Sequence, residues 1–385
     1  MKILIGADIV PTESNKNLFE LGDARELIGE ELLRVFSSAD YRMFNLEAPL
    51  TIKQSPILKC GKSFMASPNC VSALKEMDVN LLTLANNHIL DQGENGLKET
   101  MDALCKANIN YVGVGKNISE ASKPFVFVIN EKKIGVYACA EHEFSIADDN
   151  SYGANPYDPL ECFDHISELK QTCDFVIVLY HGGKEYYRYP SPNLQKVCHK
   201  MIEKGAGLVV CQHSHCVGAE EKYEAGTIVY GQGNFIFDGS SKECWQTSLL
   251  VQVSDDFKID YIPIIKEGAR IRLAQNEDKK NILDGFMTRS KEIQNPGFVK
   301  ATYERYANEY VIDLLTIASG KRYSLLTKLL NKMIGENRLI KKLLFMRYTQ
   351  KKRIVLLNRI TCESYNELFT SGIVTTIKKE LNESK

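Results

Sequence analysis

At 385 residues, with 44% hydrophobic and 25% charged side chains, the chain is long enough for one large domain plus an appendage, or for two domains. Its composition excludes fibrous and low-complexity classes, and a formal net charge of −1 excludes whole-molecule attraction to nucleic acid. Eleven cysteines, scattered, odd in number and without a Cys-x-x-Cys pair, argue against a disulfide framework and point to a reducing, cytoplasmic setting.

The chain opens Met-Lys-Ile-Leu-Ile-Gly-Ala-Asp, which reads as a buried strand running into a functional turn. That apolar run is too short for a signal-peptide core or a membrane helix. Short runs rich in Val, Ile and Leu at 2–7, 42–46, 80–85, 133–138, 175–180, 208–211 and 227–231 predict buried strands. Between them, residues 23–37, 68–77, 96–107, 161–172 and 193–204 have helical patterning, so the alternation predicts a layered α/β fold. Two later runs, 248–253 and 258–264, predict an antiparallel hairpin and therefore a mixed sheet.

After about residue 279 the pattern turns mostly helical, with one strand-like run at 354–357. Residues 1–275 are therefore read as one domain and 276–385 as a helical extension. Between Lys321 and Ile360 stand twelve Lys or Arg and one acid, Glu336. Leu325, Leu326, Leu329, Leu330, Ile334 and Leu339 form an apolar stripe at helical spacing. Two readings stay open: the stripe packs on the first domain, or the basic helices lie peripherally on an anionic membrane surface at the inner face. Nucleic acid is disfavoured there, since aromatic residues for base stacking are sparse.

Ligands in open α/β sheets sit at the carboxyl ends of strands, and the residues with chemistry fall at those ends. Asp8 closes the first strand, Asn45 and Glu47 the second, and Asn86, Asn87 and His88 the third. His181 follows the strand at 175–180, and His213 and His215 follow the one at 208–211. Imidazole and carboxylate suit Mn, Fe or Zn, and a carboxylate can bridge two ions. Two ions about 3.5–4 Å apart can hold a hydroxide and clamp a phosphoryl oxygen. His88 stands where it can give a proton to a leaving oxygen or stabilise developing charge.

The segments Asn-Leu-Glu-Ala-Pro-Leu (45–50), Leu-Ala-Asn-Asn-His-Ile-Leu-Asp-Gln-Gly (84–93), Gly-Leu-Lys-Glu-Thr (96–100), Tyr-Val-Gly-Val-Gly (111–115), His-Gly-Gly-Lys-Glu-Tyr (181–186), Gln-His-Ser-His (212–215) and Gly-Gln-Gly-Asn-Phe-Ile-Phe-Asp (231–238) resemble, in order, the capsule-synthesis CapA family. That family lies within the calcineurin-like metallophosphoesterase superfamily and is associated with poly-γ-glutamate and other capsular polymers. The resemblance implies a four-layer α/β/β/α metallophosphatase-like sandwich. It also implies two divalent metal ions held by Asp8, Glu47, Asn87, His181, His213 and His215, with His88 as the acid. The departures are Val10, where the wider superfamily has a histidine, Glu47, where it has aspartate, and Gly182, where the family often has tryptophan.

Glu185 and Tyr186 are candidates to line a substrate cleft, although an acid at a helix start would look the same. Asn45 and Asn234 are further candidates for substrate contact. Asp91 and Gly93 read as the cap and turn after His88. Glu141 and His142 end a strand at the same edge and could meet substrate or a third ion. His165 and His199 sit in helical stretches and read as packing residues, and the glycines at 113 and 115 read as a strand turn. Cys211 and Cys216 flank the histidine pair, where a thiolate–zinc reading competes with that of small buried hydrophobes. Together these readings describe a metal-dependent hydrolase acting on a phosphoryl or acyl centre, with an anionic polymer or its precursor as partner. The rival is a non-catalytic accessory that binds metal and polymer in a synthesis or export complex.

Overall fold

The computed structural model describes residues 1–320 and 338–383 and resolves them into two compact units, Met1–Ala301 and Thr302–Lys385. The first unit is built on two sheets. One runs in the order β16-β15-β14-β1-β2-β3-β4, from Arg270–Leu273, Ile259–Glu267, Thr247–Val253, Ile3–Ile9, Tyr41–Leu46, Leu81–Thr83 and Asn110–Val112. The short β13 (Asn234–Ile236) also pairs with β1, in parallel. Strands β1 to β4 are parallel, whereas β14 to β16 add antiparallel.

The other sheet runs β11-β12-β10-β9-β7-β6, from Glu220–Tyr223, Gly226–Tyr230, Leu208–Gln212, Phe175–His181, Lys132–Ala140 and Phe125–Ile129. Its four central strands are parallel and its two edges antiparallel. A two-stranded piece, β5 (Val114–Gly115) with β8 (Gly153–Ala154), completes the set.

The strands are apolar on both faces because both faces are covered. In β1, Ile3 and Ile5 point into a core shared with Ile177, Leu179 and Val210 of the second sheet, while Leu4 and Ile9 point into a core packed against helices. Helices α1 (Lys16–Leu21), α2 (Ala24–Ile28), α3 (Glu30–Ser37), α4 (Val71–Glu76) and α5 (Gly93–Lys106) supply that outer layer. After the short α6 (Ile118–Ala121), α7 (Cys162–Thr172) and α8 (Pro192–Glu203) cover the far face of the second sheet through Ile166, Leu194 and Met201. The result is the α/β/β/α sandwich implied by the motifs.

Three expectations need correction. Residues 23–37 form two helices, because Gly29 at φ 77° breaks the run, a left-handed conformation that glycine adopts without a Cβ clash. The compact unit continues past 275: α9 (Asn276–Glu292) buries Ile282 and Phe286 in the inter-sheet core, and the unit ends at Ala301. The strand-like run at 354–357 lies inside a helix, Gln350–Thr361.

The second unit consists, among the described residues, of the later part of α10 (Phe298–Ala318) and the helices Arg338–Arg347, Gln350–Thr361 and Glu363–Glu383. Its small core holds Ile312, Leu315 and Leu344, and Ile354, Leu357 and Ile360 are exposed. Of the predicted apolar stripe, Leu325, Leu326, Leu329, Leu330 and Ile334 lie outside the described residues, as does the basic stretch from Lys321 to Asn337. No described helix is long and apolar enough to cross a membrane.

Candidate metal centre

The carboxyl ends of the two sheets face one another, and the predicted ligands meet between them. Asp8, Asn45 and Asn234 are in register on three neighbouring strands, β1, β2 and β13. Across the gap His181 ends β9, in register with Gln212 of β10, which leads into His213 and His215. Glu47, His181 and His213 form one group whose donor atoms lie within 4.8 Å of one another, and Asp8, Glu47 and His215 form a second. Glu47 belongs to both. Val10 packs with Ala48, Phe237 and Trp245 in an apolar wall.

Asp8 and Glu47 are 0% and 1% exposed. Burial, and then the Glu47 charge, raise the Asp8 carboxyl to about 7, despite His181 and a hydrogen bond from Asn45. Glu47 also rises to about 7, chiefly through burial, with Glu185, Asp91 and Glu143 adding to it and His88 opposing. The imidazoles move the other way: burial lowers His181, drives His213 well down, and brings His215 to about 4. Asp8 Oδ2, Glu47 Oε2 and His213 Nδ1 are buried without a hydrogen-bond partner. Unpartnered buried polar atoms are costly, so this set of neutral imidazoles and reluctant carboxylates has the donor chemistry of a divalent-cation site.

The supporting residues are specific. His181 turns Nε2 toward Asn87 Oδ1 (3.1 Å) and Glu47 Oε1 (3.3 Å), while its Nδ1 meets Asn45 Nδ2 at 3.2 Å. Asn45 also donates to Asp8 Oδ1 at 2.7 Å and accepts from Asn86 at 3.0 Å. Both ends of its amide are therefore engaged by side chains of the centre. Asn234 holds His215 Nδ1 at 2.8 Å through Oδ1 and is 5% exposed. His213 and His215 sit at φ 82° and 55°, left-handed conformations that cost roughly 1–3 kcal/mol each. They are held there by the backbone bond from Tyr186 N to Ser214 O (2.9 Å) and by Gln212, whose side-chain amide donates to Gly6 O at 3.0 Å.

His88 stands beside this centre, 14% exposed, with Nδ1 at 2.6 Å from Asp91 Oδ2. Asp91 is fully buried and also accepts from Phe64 N (2.6 Å) and Lys59 Nζ (2.5 Å). Asp91 only accepts, so at 2.6 Å it favours the hydrogen on His88 Nδ1, while Lys59 Nζ, a donor, lies farther from the same nitrogen at 3.2 Å. Lys59 (3% exposed) and the Phe64 ring, 4.3 Å from the His88 ring centre, complete the mount. A cleft of about 460 Å3 opens over the centre, lined by His88, Glu143, Glu185, Tyr186, Phe237 and Trp245 among others. A cavity of about 730 Å3 beside α7 and α8 is larger, but contains no metal-capable group among the described residues.

Glu185 lines this cleft, and Tyr186 joins it at φ 62°. Glu141 lies against Gly182, where a Cβ would come within 2.6 Å of its Cγ, so a larger residue at 182 requires the Glu141 and Tyr180 side chains to shift. His142 is exposed, His165 rests by the Tyr137 hydroxyl at 3.3 Å, and His199 stacks on Tyr223. Cys211 faces Cys198 at 3.6 Å in the core, and among the described residues neither it nor Cys216 belongs to a metal-capable group. Lys59 and Glu143, whose Oε2 takes the Asn87 amide at 3.2 Å, stand at the site without having been singled out by their sequence setting.

The geometry defines a class: a double-sheet α/β protein with an acid–imidazole centre at the carboxyl ends of its parallel strands. The chain belongs to the bacterial capsule synthesis protein PGA_cap family, whose model matches residues 2–239. It is 32% identical over 213 residues to the PGA biosynthesis protein CapA of Bacillus subtilis (strain 168), covering 53% of this chain and 55% of that one. It is 28% identical over 258 residues to the capsule biosynthesis protein CapA of Bacillus anthracis, covering 64% and 63%. The matches thus span less than two thirds of those relatives. Solved structures overlap loosely. A phosphatase from Mycoplasma pneumoniae has a TM-score of 0.42 at 16% identity, covering 74% of this chain and 96% of its own. A 5'-nucleotidase precursor from Thermus thermophilus has 0.40 at 15%, covering 74% and 58%.

Proposed function

We propose that this protein is a metal-dependent hydrolase that serves assembly of an anionic capsular polymer such as poly-γ-glutamate, holding two divalent ions of Mn, Fe or Zn. The observation that carries the reading is the pair of overlapping donor groups sharing Glu47. Glu47, His181 and His213, with the Asn87 carbonyl, would hold one ion, and Asp8, Glu47 and His215 the other. Ions bound there would supply Lewis acidity and a clamp for a phosphoryl or acyl oxygen. The chain's own residues do the rest. Asp91 fixes the His88 ring so that Nε2 faces away from it; with the ring as the imidazolium, Nε2 is the nitrogen that would give its proton to a departing oxygen and return to a lone pair, and Lys59 balances the Asp91 charge. Asn45 and Asn234 keep two ligand imidazoles in orientation. Glu185 and Tyr186 border the cleft where substrate would lie.

The eleven unpaired thiols support a cytoplasmic location, and the precursor of the polymer is the partner expected there. The stretch 338–362, with eight Lys or Arg and no acid, supports contact with an anionic membrane surface at the inner face.

The test is His88→Ala, read by metal content and by turnover on a panel of phosphoester and γ-glutamyl substrates. Metal content should stay at the wild-type level, while turnover drops by roughly 10²–10⁴-fold. Turnover equal to wild type removes His88 from the chemistry. A wild type that loads metal but turns over nothing on the panel supports the accessory reading instead.

A further inference from the structure

A second polar cleft lies away from the metal centre, where Arg188, in the loop between β9 and α8, meets Arg289 of α9. Arg188 Nη1 donates to Val217 O at 3.2 Å, and Arg289 Nε donates to Gly218 O at 2.7 Å. Both guanidiniums therefore brace the segment that directly follows His215. They also border a cavity of about 280 Å3, with Thr247, Asn281 and Gly285 on its wall. The acid on that wall is Glu243, which pairs with Arg188 Nη2 at 2.6 Å through a side chain that is 83% exposed. Among the described residues Arg289 forms no ion pair. Its guanidinium lies against Gly285, where a Cβ would stand 3.2 Å from Nη1, so the missing side chain leaves the cavity open.

Two like charges share a half-buried pocket with one exposed carboxylate between them. Burial, and then the Arg188 charge, bring Arg289 down to about 10, so the unliganded arrangement carries electrostatic cost. Guanidiniums recognise carboxylate and phosphate through paired N–H bonds, and Asn281 and Thr247 add neutral donors. An exposed ion pair such as Glu243–Arg188 contributes little, so an incoming anion can displace Glu243 into water. We propose that Arg188 and Arg289 form a binding site for a small oxyanion group, a phosphate or a carboxylate, distinct from the metal centre. Because the same guanidiniums hold the Val217 and Gly218 carbonyls, occupancy is coupled through the chain to the loop that carries His213 and His215.

The experiment is isothermal titration of the full-length protein, as purified, with inorganic phosphate and separately with glutarate. One binding event should survive in His213→Ala with chelator present, which removes one donor group and keeps the other free of metal. That event should weaken by about tenfold or more in Arg289→Gln and in Gly285→Glu. Gly285→Glu keeps both arginines and places an internal carboxylate beside Arg289, so it remains informative if Arg289→Gln misfolds, and near-UV circular dichroism verifies its fold. Binding of phosphate alone or glutarate alone assigns the source of the oxyanion. The proposal is overturned if neither binds in His213→Ala, or if both bind the folded Gly285→Glu protein as they bind wild type.

Discussion

The two sheets contribute opposite halves of the metal centre. The first delivers Asp8 and Glu47 from the ends of β1 and β2, and its carboxyls are pushed up. The second delivers His181, His213 and His215, and its imidazoles are pushed down. The leading cause is the same in both halves, namely burial, which disfavours whichever form carries charge. The consequences differ. At neutral pH the imidazole half is neutral, with lone pairs ready to donate. The carboxylate half is poised between protonated and charged, and a bound cation tips it. Strain is also divided unequally, since His213 and His215 occupy left-handed backbone. A half built to accept a cation and a half built to donate to one make sense together only when a cation lies between them.

The sharpest way to break this comparison is Glu47→Gln, because Glu47 alone belongs to both donor groups. Metal content after equilibrium dialysis should drop from about two ions per chain to below about one, whereas His215→Ala should cost only the ion on the Asp8 side. Equal losses in the two variants would mean that the groups do not share a bridging carboxylate. Next in size is Asp91→Asn, which leaves every proposed ligand in place, removes the negative charge facing His88 and Lys59, and leaves one neutral acceptor oxygen where two served His88, Lys59 and Phe64 N. Turnover should drop by roughly 10–100-fold with metal content unchanged. A matching loss of metal would assign Asp91 to the centre itself.

Much of this was readable in the chain because strand ends concentrate chemistry. The apolar runs before Asp8, His181 and His213 mark buried parallel strands, and the residues just past the end of such a strand face the ligand edge. The roles of Asn45 and Asn234 are not readable in the same way. An amide near a ligand has one sequence signature whether it faces substrate or braces an imidazole, and the register of β1, β2 and β13 is what shows Asn45 and Asn234 beside Asp8. Lys59 comes from the irregular stretch between β2 and α4, which has no periodicity to place it. Glu143 follows a recognisable strand but lies three residues past its end. Gly29 shows the converse limit: the apolar spacing of residues 23–37 continues through it, and only its backbone angle divides the helix. The boundary after 275 fails for a related reason, since α9 looks polar overall while two of its residues, Ile282 and Phe286, anchor it to the core.

The opposed shifts also predict how metal binding responds to pH. A proton leaves each carboxylate before a cation can take its place, and Asp8 and Glu47 both hold theirs up to about 7. Apparent metal affinity should therefore drop by about tenfold or more as pH goes from 8 to 6, a range in which ordinary carboxylates, with pKa values near 4, would show no change of their own. Isothermal titration with Mn at several pH values gives the slope, and a flat profile between 6 and 8 would mean that the acids are already ionised in the metal-free protein.

The smallest effect is the one that separates the halves most cleanly, because its sign depends on the metal. In the metal-free protein the Asp8 pKa is raised from 3.8 to about 7. Its contribution to stability is thus fully present below about 3.8 and is lost as pH rises through about 7. His215 is the mirror case: lowered from 6.5 to about 4, it contributes above 6.5 and loses that contribution as pH drops through about 4. Asp8→Asn removes the carboxylate arm while keeping an oxygen that accepts from Asn45. With chelator at pH 8 the variant should be more stable than wild type by about 1–3 kcal/mol, and the difference should vanish below pH 4. With saturating metal the order should reverse, since wild type then gains the binding energy of an ion that the variant holds poorly. Denaturant unfolding with and without metal measures both signs. A variant that is less stable under both conditions would show that Asp8 serves the fold through its hydrogen bond to Asn45, and that the carboxylate half is not held in readiness for a cation.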